Sequence, residues 1–169
     1  MELFWIISFP LAFIIHDGEE ILVQHQWMLA HKDCIIQKFP RATRIIVHLS
    51  SLSTKAFAVA VLEELILLLL ATAYVLIGGT YATELWIALF MAFSIHFVIH
   101  IAQGLLIRSY VPGLATSILM LPYAYFGISK IYEDVSGNKL IQLSILGVIA
   151  MVINLRFAHW VGKNLHNNK

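Results

Sequence analysis

Charge is scarce in this sequence. Asp, Glu, Lys and Arg make up 12% of the 169 residues, against roughly 25% in a soluble domain. So few charges could not cover the core of a soluble fold of this size, which excludes a soluble globular enzyme. The charges also nearly cancel, leaving a formal +1 at pH 7, so there is no basic excess for nucleic acid. Cys34 is the single cysteine, which excludes an intrachain disulfide and a disulfide scaffold. Low-complexity tracts and internal repeats are absent, and 60% of the residues are hydrophobic, the opposite of a disordered chain. What remains is an all-α, polytopic bundle of membrane helices in the cell membrane, with the lipid bilayer as its first partner.

Five apolar stretches are long enough to span about 30 Å of hydrocarbon. They run over residues 3–27, 56–77, 82–107, 112–131 and 140–161, as a single transmembrane domain. The start of the first resembles a signal peptide, but the residue after Met1 is Glu2 and no small-residue cleavage site follows. It is therefore expected to be a retained membrane helix. The fourth opens on Pro112, which suits a helix start.

The longest link, 31–55, mixes Lys32, Lys38, Arg41, Arg44 and Lys55 with Ile35, Ile36, Phe39, Ile45 and Ile46, and Pro40 divides it. It reads as a basic, amphipathic segment on the membrane surface. With the N-terminus outside, these five bases, Arg108, Arg156, Lys163 and Lys169 fall on the inner side, and only Lys130 and Lys139 fall outside. The positive-inside bias thus predicts N-out, C-in.

Polar residues interrupt these spans at one level. The first carries His16-Asp17-Gly18-Glu19-Glu20, the second Glu63-Glu64, the third His96, His100 and Gln103, and the fifth Asn154 and Arg156. Because the chain reverses at each link, all four sets are expected in the same half of the bilayer. His16, Glu19 and Glu20 are spaced i, i+3, i+4, and His96, His100 and Gln103 i, i+4, i+7, so each set shares a helix face. Asp17 turns away from His16. Gly18 would let a neighbouring helix or ligand come close. An ionised group at a helix centre costs roughly 2.5–3.5 kcal/mol on insertion scales. Packing alone does not call for four glutamates at such depth. Mutual pairing with His and Arg156 would lock helices together without any chemistry.

Imidazoles and carboxylates on facing helices are the donor set of Zn, Fe and Mn sites. The expected ligands of a divalent metal are His16, Glu20, Glu63, His96 and His100. Glu19, Glu20 and Glu64 are the candidates for general base. His96-Phe-Val-Ile-His100 has the histidine spacing of zinc peptidases but lacks their glutamate after the first His, and a histidine-box desaturase needs about twice as many histidines. Gln103, Arg108, Tyr110 and Asn154 are candidates for substrate contacts, Arg108 and Tyr110 at the mouth of the site. Thr116, Ser117, Tyr123 and Tyr125 could line it from the fourth span. Metal-dependent hydrolysis of a lipid-like or apolar substrate fits these residues. So do a metal-free acid–base isomerase and a proton or metal-ion transporter, although five spans without a repeat make an ordinary transporter the weaker fit.

The motif His16-Asp-Gly-Glu19-Glu20 in a first membrane helix resembles the signature of the HXXEE-motif family of small bacterial integral membrane proteins. Glu63-Glu64, His96-x3-His100 and Arg108-x-Tyr110-x-Pro112-Gly113 are similar to that family's pattern. The likeness runs from about Phe4 to Tyr123. The family is one of unknown function, so the resemblance supports the site residues and implies no reaction. Substrate, metal identity and oligomeric state are not legible.

Overall fold

The computed structural model describes residues 2–167, with side chains described through Leu165. Met1 and Lys169, used above in reading the N-terminus and the charge bias, lie outside the described residues. The elements are α1 (Leu3–Lys38), a 3-10 turn (Pro40–Ala42), α2 (Thr43–Ser50), α3 (Thr54–Leu76), α4 (Ala82–Ile107), α5 (Leu114–Asp134) and α6 (Gly137–Asn167). Among the described residues there is no strand, and the chain is an all-α polytopic helix bundle. Helices α3, α4, α5 and α6 are long and apolar enough to cross a membrane. Helix α1 has the length but carries the charged insert.

Two boundaries depart from the sequence reading. The first helix does not end near Trp27 but continues to Lys38. Residues 28–38 hold helix formers such as Leu29, Ala30, Lys32 and Gln37, and the first breaker is Pro40. Phe39, before it, has left the helical region at φ −130°, ψ 69°, since a following proline disfavours the α conformation. At 36 residues, α1 is about 54 Å long, more than a bilayer core needs. The link beyond it is the short helix α2, whose Ile46 packs with Met28 and Ile35 of α1 and with Ile107 at the end of α4. The fourth span starts at Leu114, and Pro112 stands in the turn before it. Gly113, at φ 78°, precedes the first helical residue.

Helices α1 and α4 run side by side. Their first halves meet through aromatic rings: Phe9 of α1 lies 6.2, 5.6 and 5.3 Å from Trp86, Phe90 and Phe93. Helix α6 packs against α3 and α4, α1 against α3, and α5 against α4. Glycines permit the closest approaches of α6. A Cβ on Gly147 would sit 2.0 Å from the carbonyl oxygen of Ala88, and one on Gly162 would sit 2.1 Å from that of Ala56. Small residues at helix contacts serve this purpose in membranes. Gly18 does not: an added Cβ there meets nothing within 4 Å, so no helix approaches it.

The two kinds of glycine predict opposite responses. Gly147→Val forces α6 off α4 and should destabilise the fold by about 1–3 kcal/mol. Gly18→Ala should leave stability unchanged or raise it by about 0.5–1 kcal/mol through helix propensity. Thermal unfolding in detergent reads both, and equal midpoints would contradict the packing described.

Candidate metal centre

The site starts from two helical spacings. In α1, His16 and Glu20 are one turn apart, and in α4 so are His96 and His100. The parallel course of the two helices brings the pairs face to face. The ring of His16 lies 5.1 Å from that of His96 and 5.2 Å from that of His100, and the latter two are 4.3 Å apart. Nε2 of His100 is 2.8 Å from Nε2 of His96 and 3.3 Å from a carboxylate oxygen of Glu20. One ligand atom from each of His16, Glu20, His96 and His100 falls within 4.8 Å of the others. Ligand atoms around a tetrahedral zinc ion are about 3.3 Å apart, given bonds of about 2.0–2.1 Å. The four side chains could therefore hold a metal ion after a small contraction.

Hydrogen bonding orients His16 for this. Glu19 sits beyond the group, against the start of α5. Its Oε1 accepts from the Tyr110 hydroxyl at 2.5 Å and the Ala115 amide at 3.3 Å. Its Oε2 accepts from the Thr116 amide at 2.7 Å and the Thr116 hydroxyl at 2.5 Å. A helix N-terminus with bare amides and a positive dipole end is a natural seat for a carboxylate. Thr116 has one hydroxyl proton, and Glu19 takes it. Oγ1 of Thr116 must then accept from Nδ1 of His16, 2.9 Å away. That fixes the tautomer and leaves Nε2 of His16 with a free lone pair. This Nε2 is buried and has no hydrogen-bond partner, and His16 is 0% exposed. A histidine whose second nitrogen is held through a hydroxyl and a carboxylate is the usual form of a metal-ligating histidine. The donor set thus fits a divalent ion. On the other side, Gly113 lies against the His100 ring, where a Cβ would come within 2.9 Å of Cε1.

The group opens on a cavity of about 1180 Å³, larger than the roughly 300–1,000 Å³ of common ligand sites. Its wall is mainly apolar, with Phe13, Met28, Leu68 and Val61 among its residues, and its polar residues are few. Phe9, Phe13, Asp17, Glu20, Gln24, Met28 and Ile35 of α1 form one stripe along it. From Phe9 to Ile35 this is about 39 Å of helix.

The residues singled out in the sequence separate as follows. His16, Glu20, His96 and His100 come together. Glu64 lines the cavity beside them, as do Gln103 and Asn154. Glu63 is not in that wall and accepts a hydrogen bond from Asn154 Nδ2 at 3.3 Å. Glu19 is engaged by α5. Tyr110 holds Glu19, and partial burial together with that hydrogen bond raises its phenol well above the ordinary value. Arg108 is exposed, ends α4 at φ 60°, and is not in the cavity wall. Thr116 serves the site as the bridge between His16 and Glu19. Ser117 is buried, and Tyr123 bonds to Ser8 at 3.0 Å.

Sequence reasoning underrated Asp17. It does turn away from His16, but the cavity lies on that side, and Asp17 is only 5% exposed in its wall. The spacing Asp17, Glu20, Gln24 (i, i+3, i+7) was the available signal. His159 is also in the wall, and no local sequence pattern singles it out.

The family described as "Protein of unknown function with HXXEE motif" matches residues 7–126, and the chain belongs to it. No curated protein matches the chain, and no solved structure does.

The bridge can be tested by itself. Thr116→Val removes the hydroxyl and strands both His16 Nδ1 and one lone pair of Glu19. A loss of about 1–3 kcal/mol is expected from the unpaired buried groups. Thr116→Ser should restore most of it. Thermal unfolding in detergent measures both, and indifference to valine would remove Thr116 from the site.

Proposed function

We propose that this member of the HXXEE-motif family is a metal-dependent hydrolase of the membrane, acting on a lipid-like or apolar substrate. The observation that carries the reading is the buried, unpartnered Nε2 of His16 within a His3Glu group whose Glu20, His96 and His100 line a large apolar cavity. His16, His96, His100 and Glu20 would hold Zn, Fe or Mn, all of which accept this donor set. A divalent ion supplies Lewis acidity and stabilises negative charge developing on a carbonyl oxygen.

The chain's own residues would do the rest. The apolar wall takes an acyl or isoprenoid-like chain and excludes bulk water from the group. Glu64, on the same wall and outside the ligand set, is the proposed general base, receiving a proton from an attacking water. Glu19 contributes through His16, whose ring it holds by way of Thr116. Asp17, with no side-chain partner and facing the cavity, is a second acceptor for that proton. The cell membrane is the proposed location, with α1 as a fifth crossing and the basic link inside.

A metal-free reading has one observation in its favour. His100 Nε2 lies 2.8 Å from His96 Nε2 and 3.3 Å from a carboxylate oxygen of Glu20, so a proton on that one nitrogen has two acceptors within reach. A proton shared in this way would serve an isomerase of an apolar substrate or one step of proton movement.

Elemental analysis of protein purified in detergent separates these readings. The wild type is expected to carry a stoichiometric divalent metal. His96→Ala and Glu20→Gln should lose it, and Glu64→Gln should keep it while losing hydrolysis. Folded wild type that takes up no metal from Zn, Fe or Mn solutions would sink the hydrolase and leave the metal-free reading.

Orientation has a native probe. Cys34 is exposed on the late part of α1. With the basic link inside, a membrane-impermeant thiol reagent should label it in inverted vesicles and not in intact cells. The reverse pattern would refute N-out, C-in.

A further inference from the structure

A second polar group reaches the same cavity through His159. Helix α6 carries Arg156, His159 and Lys163 at i, i+3, i+7, which places them on one face. His159 is 5% exposed and lines the cavity, and its Nε2 is buried without a hydrogen-bond partner. Its ring lies 5.4 Å from that of His48 on α2 and 6.1 Å from Phe57 on α3. Burial, Lys163 and Arg156 together hold the His48 imidazole below its ordinary value, so both cations act on the His48 side of the pair. Neither 40–62 nor 137–165 contains an Asp or Glu. These segments therefore bring positive charge without a carboxylate of their own, and Glu63, the next residue of α3, is engaged by Asn154 Nδ2 at 3.3 Å.

Snorkelling of basic residues to a membrane surface accounts for Arg156 and Lys163. It does not account for a buried histidine with a bare nitrogen in a cavity wall. The metal centre lies deeper. Glu64, on the wall beside it, is seven residues from Phe57 along α3, which is about 10 Å. The wall the two groups share is mainly apolar, with Gln24, Gln103 and Asn154 among its few polar residues.

We infer that His159, His48, Arg156 and Lys163 form a phosphate-binding site, which holds the charged head of an amphiphile whose apolar part lies in the cavity. A phosphate ester presents several acceptor oxygens and negative charge, which suits two imidazoles, a guanidinium and an ammonium. The inference deepens the proposed function by giving the lipid-like substrate a phosphorylated head at one end of the cavity and leaving its reacting bond to the other. It does not require the metal.

The test uses the full chain in detergent and three probes: dihexanoyl phosphatidic acid, dihexanoylglycerol and inorganic phosphate. Isothermal titration should show saturable binding of the phosphatidic acid, with at least tenfold weaker binding of the uncharged diacylglycerol and of inorganic phosphate. The double variant Arg156→Gln/Lys163→Gln, both at exposed positions, and the single variant His159→Asn should each weaken the phosphatidic acid at least tenfold. His48→Gln, also exposed, guards against a folding defect in His159→Asn and should act in the same direction. Inorganic phosphate binding as tightly as the lipid would keep the anion site and overturn the amphiphile. Equal binding of charged and uncharged lipid, or unchanged affinity in the variants, would overturn the site. Metal content is a separate readout. The α6 variants should retain metal, and His96→Ala should retain phosphatidic acid binding, so failure at one end does not imply failure at the other.

Discussion

Everything around the polar centre depends on one carboxylate meeting one helix end. Glu19, from the middle of α1, accepts hydrogen bonds from the Ala115 and Thr116 amides at the start of α5. Those amides have no intrahelical partner, and in hydrocarbon they have no water to turn to. Supplying the acceptor from α1 solves two problems together: a charge in an apolar helix and a bare helix end. It also ties α5 to α1 at a fixed height. The Thr116 hydroxyl carries that constraint on to His16, and through it to the histidines of α4.

Two adjacent glutamates thus have different tasks. Glu19 faces the protein and is fully engaged. Glu20, one residue on and about 100° around the helix, joins the histidines and the cavity. The same rotation puts Asp17 in line with Glu20 and Gln24, so the charged insert divides into a face that builds the structure and a face that lines open space. Gly18 falls on neither, which agrees with the empty space before it. The aromatic contacts of Phe9 with α4 close the bundle at one end. Helices α1, α3, α4 and α6 wall the cavity, and α2 adds Ile45, Ile46 and Leu49 to it.

The sequence made the architecture and the centre largely legible, because helical periodicity is local. His16 and Glu20, and His96 and His100, are each a turn apart, and alternation of apolar helices puts them at one depth. What it could not show is which neighbour each face meets. Glu19 and Glu20 look equivalent until the turn holding Tyr110 and Thr116, about 90 residues away in sequence, is placed beside one of them. Asp17 was discounted for pointing away from His16, which only matters if the site lies wholly on His16's side. The late part of α1 looked like a surface link because it is polar, but polarity decides where a helix lies and not whether it forms. The role of His159 needed the approach of α2, which no local pattern announces.

The link between Glu19 and α5 also has a consequence in time. Thr116 is 97 residues beyond Glu19 in the chain. At translation rates of about 5–20 residues per second, roughly 5–20 s separate their synthesis. Through that interval α1 carries Asp17, Glu19 and Glu20 into or beside the bilayer, with neither the α5 amides nor the α4 histidines yet made. Helix α1 therefore precedes α4 and α5 in synthesis and is seated only after them. Until then it depends on the insertion machinery or the headgroup layer to shelter its carboxylates, and the centre is assembled only when α5 emerges to receive Glu19.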